Sequence, residues 1–170
     1  ILRRVSAVGK LSAIQSVTLR PEESGKIAKI SFKEGQKVEV GAPLYTIDDA
    51  IFKAKLKEAE ARLADATGKY NRASQLLAKK FGSVAARDQA FSEMEMSKAA
   101  LDEARVHLDH TVIRAPFSGV VGLSSVSVGA AVSPSTDLAN IVDLDPINVD
   151  FSIPESNLPF VHEGDIVDVT

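Results

Sequence analysis

The sequence predicts a mixed α and β fold: a small β-sandwich split by an antiparallel coiled-coil α-hairpin, plus part of a β-barrel at the chain ends. Three observations predict it. Sliding the 170-residue chain along itself reveals a repeat at a fixed offset of 94 residues. Between the two copies, apolar or small residues recur at alternating spacings of four and three. Outside both copies, the two ends carry strand-like patterns of their own.

Residues 1–14, with VSAVGKL, read as the first strand of the partial barrel. Residues 15–48 hold the first copy of the repeat, where SGKIAKISF alternates before an EGQKV turn and GAPLYTID returns after Gly41. The second copy, residues 111–144, carries SGVVGLSSV, VGAAV and DLANIVDL. Without a gap, Arg20 matches Arg114, Ser24-Gly25 matches Ser118-Gly119, and Ile27 matches Val121. In the same register Gly35 matches Gly129, Val38 matches Val132, Leu44 matches Leu138 and Ile47 matches Ile141. Matched glycines point to tight turns that need positive φ. Each copy is too small to bury a face alone, so the two should pair as a sandwich. In residues 145–170, PINVDFSI and DIVDVT read as strands that pair with the N-terminal one, and PESNLPFVHEG as a short helix or turn.

Residues 49–110 have a different period. Phe52, Leu56, Ala59, Leu63, Ala66, Tyr70, Ala73 and Leu77 mark one seam, and Ala90, Met94, Ser97, Leu101, Ala104 and Leu108 a second. Asp48 or Asp49 can cap the first helix and Ser83 the second. The Phe81-Gly82 break leaves so short a connection that the second helix must return antiparallel. Helices of this length project roughly 40–50 Å at 1.5 Å per residue. Gly68 weakens the first helix by roughly 1 kcal/mol relative to alanine, either as a tolerated defect or as a point of close helix approach.

The far end of this rod is basic. From Lys69 to Arg87 there are five bases (Lys69, Arg72, Lys79, Lys80 and Arg87) and no acid, in a chain of net charge −3. Leu77 belongs to the seam but Leu76 does not; it lies four residues from Arg72 on the helix flank. Leu76 is therefore either a cover for the side of the seam or an exposed contact for a partner. A basic tip with a small apolar spot suits an acidic partner surface.

Composition narrows the function classes. Hydrophobic residues make up 45% and charged residues 25%, as in ordinary folded domains. The absence of tryptophan and an aromatic content of 5% argue against large aromatic binding sites. The slight net negative charge argues against nucleic-acid binding. Without cysteine there is no disulfide, thiol chemistry or cysteine-based zinc site. No apolar run reaches the length of a membrane span. The chain opens at ILRRVSAVGKL without methionine or a signal-like segment and stops at DIVDVT within an expected strand, so it is expected to be a processed or trimmed piece.

A split lipoyl-like module around a coiled-coil hairpin resembles the periplasmic adaptors, also called membrane fusion proteins, of tripartite efflux pumps. SGKIAKISFKEGQKVEVGAPLYTID is similar to the first half of the family's lipoyl-like β-sandwich (barrel-sandwich hybrid), and TVIRAPFSGVVG to its re-entry into the second half. Members that dock on outer-membrane channels carry arginine, leucine and serine at the tip with spacing R-x3-L-x6-S, which Arg72, Leu76 and Ser83 reproduce. The resemblance implies that these three contact the channel, and that Lys69, Lys79, Lys80 and Arg87 make up the basic tip around them. It further implies a periplasmic protein attached to the inner membrane, six copies per pump, an inner-membrane transporter as second partner, and no cofactor. The resistance-nodulation-division class of transporter is favoured, with ATP-driven or metal-efflux transporters as alternatives.

Rival readings have weaker support. A lipoyl- or biotin-carrying domain needs a lysine in a tight turn between the halves, whereas Lys53 and Lys55 fall on a helix. His107 and His110 have the i, i+3 spacing of metal ligands but no cysteine companions, and His162 stands alone. Met94 and Met96 point to different helix faces, which disfavours a metal-efflux adaptor. No nucleophile–base motif or phosphate loop appears, so no enzymatic activity is expected.

Overall fold

The computed structural model describes residues 8–152, 163, 164 and 166. Eight strands and two helices follow in the order β1 (Gly9–Leu19), β2 (Gly25–Ile30), β3 (Lys37–Val38), β4 (Pro43–Ile47), α1 (Ala50–Ala78), α2 (Val84–Asp109), β5 (Val112–Arg114), β6 (Gly119–Val121), β7 (Ala131–Val132) and β8 (Ala139–Phe151). The strands form two antiparallel four-stranded sheets, ordered β1-β8-β6-β3 and β5-β4-β2-β7.

The repeat does more than duplicate a sheet. A shift of 94 residues carries β2 onto β6, β3 onto β7, β4 onto β8 and the end of β1 onto β5, so it exchanges one sheet for the other. Each sheet consequently mixes strands from both copies, and neither half closes without the other. Hydrogen bonds repeat with the strands. Gly35 donates to the Val121 carbonyl (2.8 Å) and Gly129 to that of Ile27 (2.7 Å), while Ser31 donates to Leu44 (2.8 Å) and Ser125 to Leu138 (2.7 Å). Gly35 and Gly129 both turn through positive φ (+76° and +89°), as expected. Gly25 and Gly119 are conserved between the copies for a different reason. A Cβ on Gly119 would lie 2.5 Å from the Val142 carbonyl oxygen, and one on Gly25 2.5 Å from Ile47 Cγ2.

The core is made of repeat pairs: Leu19 with Ile113, Ile27 with Val121, Val38 with Val132, Leu44 with Leu138, and Ile47 with Ile141, all buried. Tyr45 faces the symmetry break, because its partner in the repeat is Ala139. The Tyr45 hydroxyl donates to the Leu138 carbonyl (3.1 Å) and lies 2.8 Å from Ser124 Oγ, and its ring meets Phe32 edge-on at 5.2 Å. Burial pushes this phenol above its ordinary pKa.

Beyond the sandwich β1 and β8 run on together, pairing Gly9 with Phe151 through Ala13 with Ile147. Their register breaks between Ala13 and Gln15, where Ile147 and Asp143 are the successive partners. PINVDF, residues 146–151, therefore continues the strand that begins in DLANIVDL instead of starting a new one. Leu11, Ile147 and Phe151 are exposed on this outer ladder. The strand expected in DIVDVT, the turn expected in PESNLPFVHEG, and His162 lie outside the described residues, apart from isolated positions.

The hairpin follows its seam. Every predicted seam position on both helices is buried or half-buried, and Ala59, Ala66 and Leu101 are the most enclosed. Tyr70 and Phe91 meet across it with ring centroids 5.6 Å apart. At 1.5 Å per residue the 29-residue α1 is about 44 Å long. Gly68 is a tolerated defect, since a Cβ there would meet only the mobile end of Arg72, at 3.3 Å. No helix among the described residues is long and apolar enough to cross a membrane.

Candidate docking site at the hairpin tip

The end of α1 is capped by backbone geometry alone. Lys79 donates to Gln75, Lys80 to Leu77 (3.0 Å) and Phe81 to Leu76 (2.9 Å). The last two bonds are the paired 5→2 and 6→1 bonds of a Schellman motif, with Lys80 as the left-handed C′ residue at φ +63°. The expectation that Phe81-Gly82 breaks the helix is corrected here: the reversal sits one residue earlier, on Lys80. A lysine there costs about 1–2 kcal/mol relative to glycine. Gly82 serves close packing, because a Cβ would approach Leu77 N to 3.0 Å and Leu76 Cβ to 3.1 Å. Ser83 then caps α2, its hydroxyl oxygen accepting from the Ala86 amide at 3.1 Å.

Arg72, Leu76 and Ser83 are all exposed at this end, Leu76 to 49%. The unbalanced charge expected for the tip is corrected in part. Lys69 Nζ lies 2.9 Å from Asp65 Oδ2, one turn back, and this partner raises the lysine pKa. Arg87 Nε lies 3.0 Å from Asp88 Oδ1, within ion-pair range but not aligned for a hydrogen bond, and is buried. Both acids sit just outside the acid-free window. Arg72, Lys79 and Lys80 make no ion pair among the described residues. Sequence reasoning missed Phe81 and Val84, exposed to 82% and 56% at the same end. The available signal was the five-residue step from Leu76 to Phe81, the C3-to-C″ spacing of this cap.

The base of the hairpin is held differently. Asp48 Oδ1, not Asp49, accepts from the first helical amide, at 3.2 Å from Ala50 N, while Asp49 pairs with Lys53 at 2.9 Å. His107 Nδ1 lies 2.5 Å from Glu23 Oε1 and His110 Nδ1 3.0 Å from Glu22 Oε2, joining the end of α2 to the β1–β2 loop. The Glu23 hydrogen bond raises the His107 pKa above its ordinary value; desolvation opposes this and the charges of Glu23 and Glu103 add to it. The two histidines thus face glutamates of a neighbouring element. Among the described residues no group of three or more histidine, cysteine or acidic side chains is disposed to hold a metal ion.

The chain resembles known proteins in sequence and in overall fold. The chain is 36% identical over 152 residues to the solvent efflux pump periplasmic linker SrpA of Pseudomonas putida, covering 88% of this chain and 40% of that protein. It is 37% identical over 158 residues to the multidrug efflux pump subunit AcrA of Escherichia coli, covering 84% and 40%. The chain thus spans about two fifths of the length of the curated relatives it matches. A solved MacA–MexA chimera containing the Pseudomonas aeruginosa MexA α-hairpin superposes with a TM-score of 0.81 at 31% identity, covering 90% of this chain and 56% of that one. A putative efflux transporter from Bacteroides eggerthii shares the fold at a TM-score of 0.78 and 19% identity, over 97% and 54%. The family model described as RND MFP, barrel-sandwich hybrid domain, matches residues 15–144. With its two interleaved sheets and inserted hairpin, the chain belongs to the membrane fusion proteins of this RND type.

Proposed function

We propose that this chain is part of a periplasmic adaptor subunit of a tripartite efflux pump, linking an inner-membrane transporter of the resistance-nodulation-division class to an outer-membrane channel. The observation that carries this reading is the tip, where Arg72, Leu76 and Ser83 stand exposed at the far end of the rod. The protein does no chemistry. Residues 15–48 and 111–144 form the sandwich, residues 49–110 would reach the channel, and the outer ladder of β1 and β8 would contribute to a barrel nearer the inner membrane. Six copies side by side would turn the hairpins into a conduit.

In the full-length protein, Arg72→Asp, Leu76→Glu and Ser83→Glu are each expected to abolish pump function while the adaptor stays folded and abundant. Ser83→Glu also alters a helix cap, worth about 1 kcal/mol, so its abundance is checked beside the others. Full solute resistance in all three variants would refute docking through the tip. Added salt should weaken adaptor–channel binding, because the unpaired bases are exposed.

A further inference from the structure

A Schellman cap turns the chain so that the residue after the left-handed position folds back on the third-last helical residue. In a helix that ends against a core, this pair is covered. Here the pair is Leu76 and Phe81, and it ends in open space: Leu76 is 49% and Phe81 82% exposed. Val84, at the start of α2, adds a third exposed apolar side chain. Around them stand Arg72, Lys79 and Lys80, without ion pairs among the described residues, although Lys69 and Arg87 close by have acidic neighbours. An exposed aromatic next to unpaired bases combines the features that mark a contact centre.

We propose that Phe81 is itself a docking residue, the apolar centre of the tip contact, and that the left-handed conformation of Lys80 sets its direction. The inference rests on the docking reading above. Its occupant is the periplasmic end of the outer-membrane channel, presenting an apolar recess rimmed by carboxylates. The charge pattern argues for the acidic rim, and the Leu76–Phe81–Val84 cluster for the recess. Lys80 then has two roles: its backbone aims the aromatic, and its ammonium adds to the attraction at the rim.

The test measures binding of the full-length adaptor to the purified channel that crosslinks to its tip in cells, alongside adaptor melting temperature. Phe81→Ala should weaken binding by about thirtyfold, as expected for a central interface aromatic, and leave the melting temperature unchanged. Lys80→Gly keeps the left-handed turn and should lose much less affinity than Lys80→Val, which disfavours that turn. If Arg72→Asp abolishes binding and Phe81→Ala binds like the unmodified protein, the role of Phe81 is overturned and tip docking stands. If neither substitution matters, tip docking itself falls. A melting temperature lowered by Phe81→Ala would make the aromatic a cap contact, and the proposal would fail.

Discussion

At its base the hairpin leaves the sandwich through Asp48, whose amide donates to the Lys26 carbonyl at 2.9 Å. It returns at the buried Thr111, whose carbonyl accepts from the Ile47 amide at 2.8 Å. Two histidine–glutamate contacts brace that junction from the side. At the tip the same two helices end in a left-handed lysine, an exposed phenylalanine and three bases that make no ion pair among the described residues. Contacts at the base are satisfied within the chain, so substitutions there should register as lost stability. Contacts at the tip are left open, so substitutions there should register as lost binding.

The largest test of this contrast lies between the two ends. Leu101, 5% exposed, sits in the seam, and Leu101→Ala should cost about 3 kcal/mol in denaturant unfolding. Phe81→Ala should cost nothing measurable there, and equal losses would erase the distinction. A smaller effect concerns the base brace. The His107 pKa is raised in the folded chain, so the stability this contact adds is fully present below the ordinary histidine value of about 6.5. It fades as pH climbs through the raised value. His107→Gln should remove this slope from the pH profile of the melting temperature, and Glu23→Gln should lower the His107 value seen by NMR titration. A variant whose profile keeps the same slope would take the brace out of the account. Smallest is Gly68→Ala, on the shaft between the ends, which should raise stability by up to about 1 kcal/mol without changing docking.

The periodic parts of the molecule were legible in the sequence. Heptad spacing assigned every seam position, because a residue's face on a helix follows from its number alone. The 94-residue repeat located the glycine turns and the paired core residues. It did not reveal that the sheets exchange strands, because a repeat specifies equivalent segments and not which of them hydrogen-bond. At the tip, the hairpin pattern placed Arg72, Leu76 and Ser83 at the far end of the rod, where all three are exposed; their docking role rests on the family resemblance and is part of the proposal above. Phe81 was not legible, because a Schellman cap is usually announced by glycine or asparagine and here the turning residue is Lys80. The Lys69–Asp65 pair has ordinary i, i+4 spacing and escaped notice only because it straddles the edge of the acid-free window. The histidine–glutamate brace joins residues far apart in the chain, and no local pattern encodes that meeting.

The inserted hairpin also bears on how the chain folds. Because each sheet needs strands from both copies, β4 must find β5 across the whole helical insertion before the core can close. For a flexible loop of about 60 residues that search would cost on the order of 4 kcal/mol in chain entropy. A hairpin zipped from its short turn brings Ile47 and Thr111 together beforehand and removes most of that cost. The shaft then acts as a folding clasp, and weakening its seam should slow assembly of a sandwich that the mutated residues never touch.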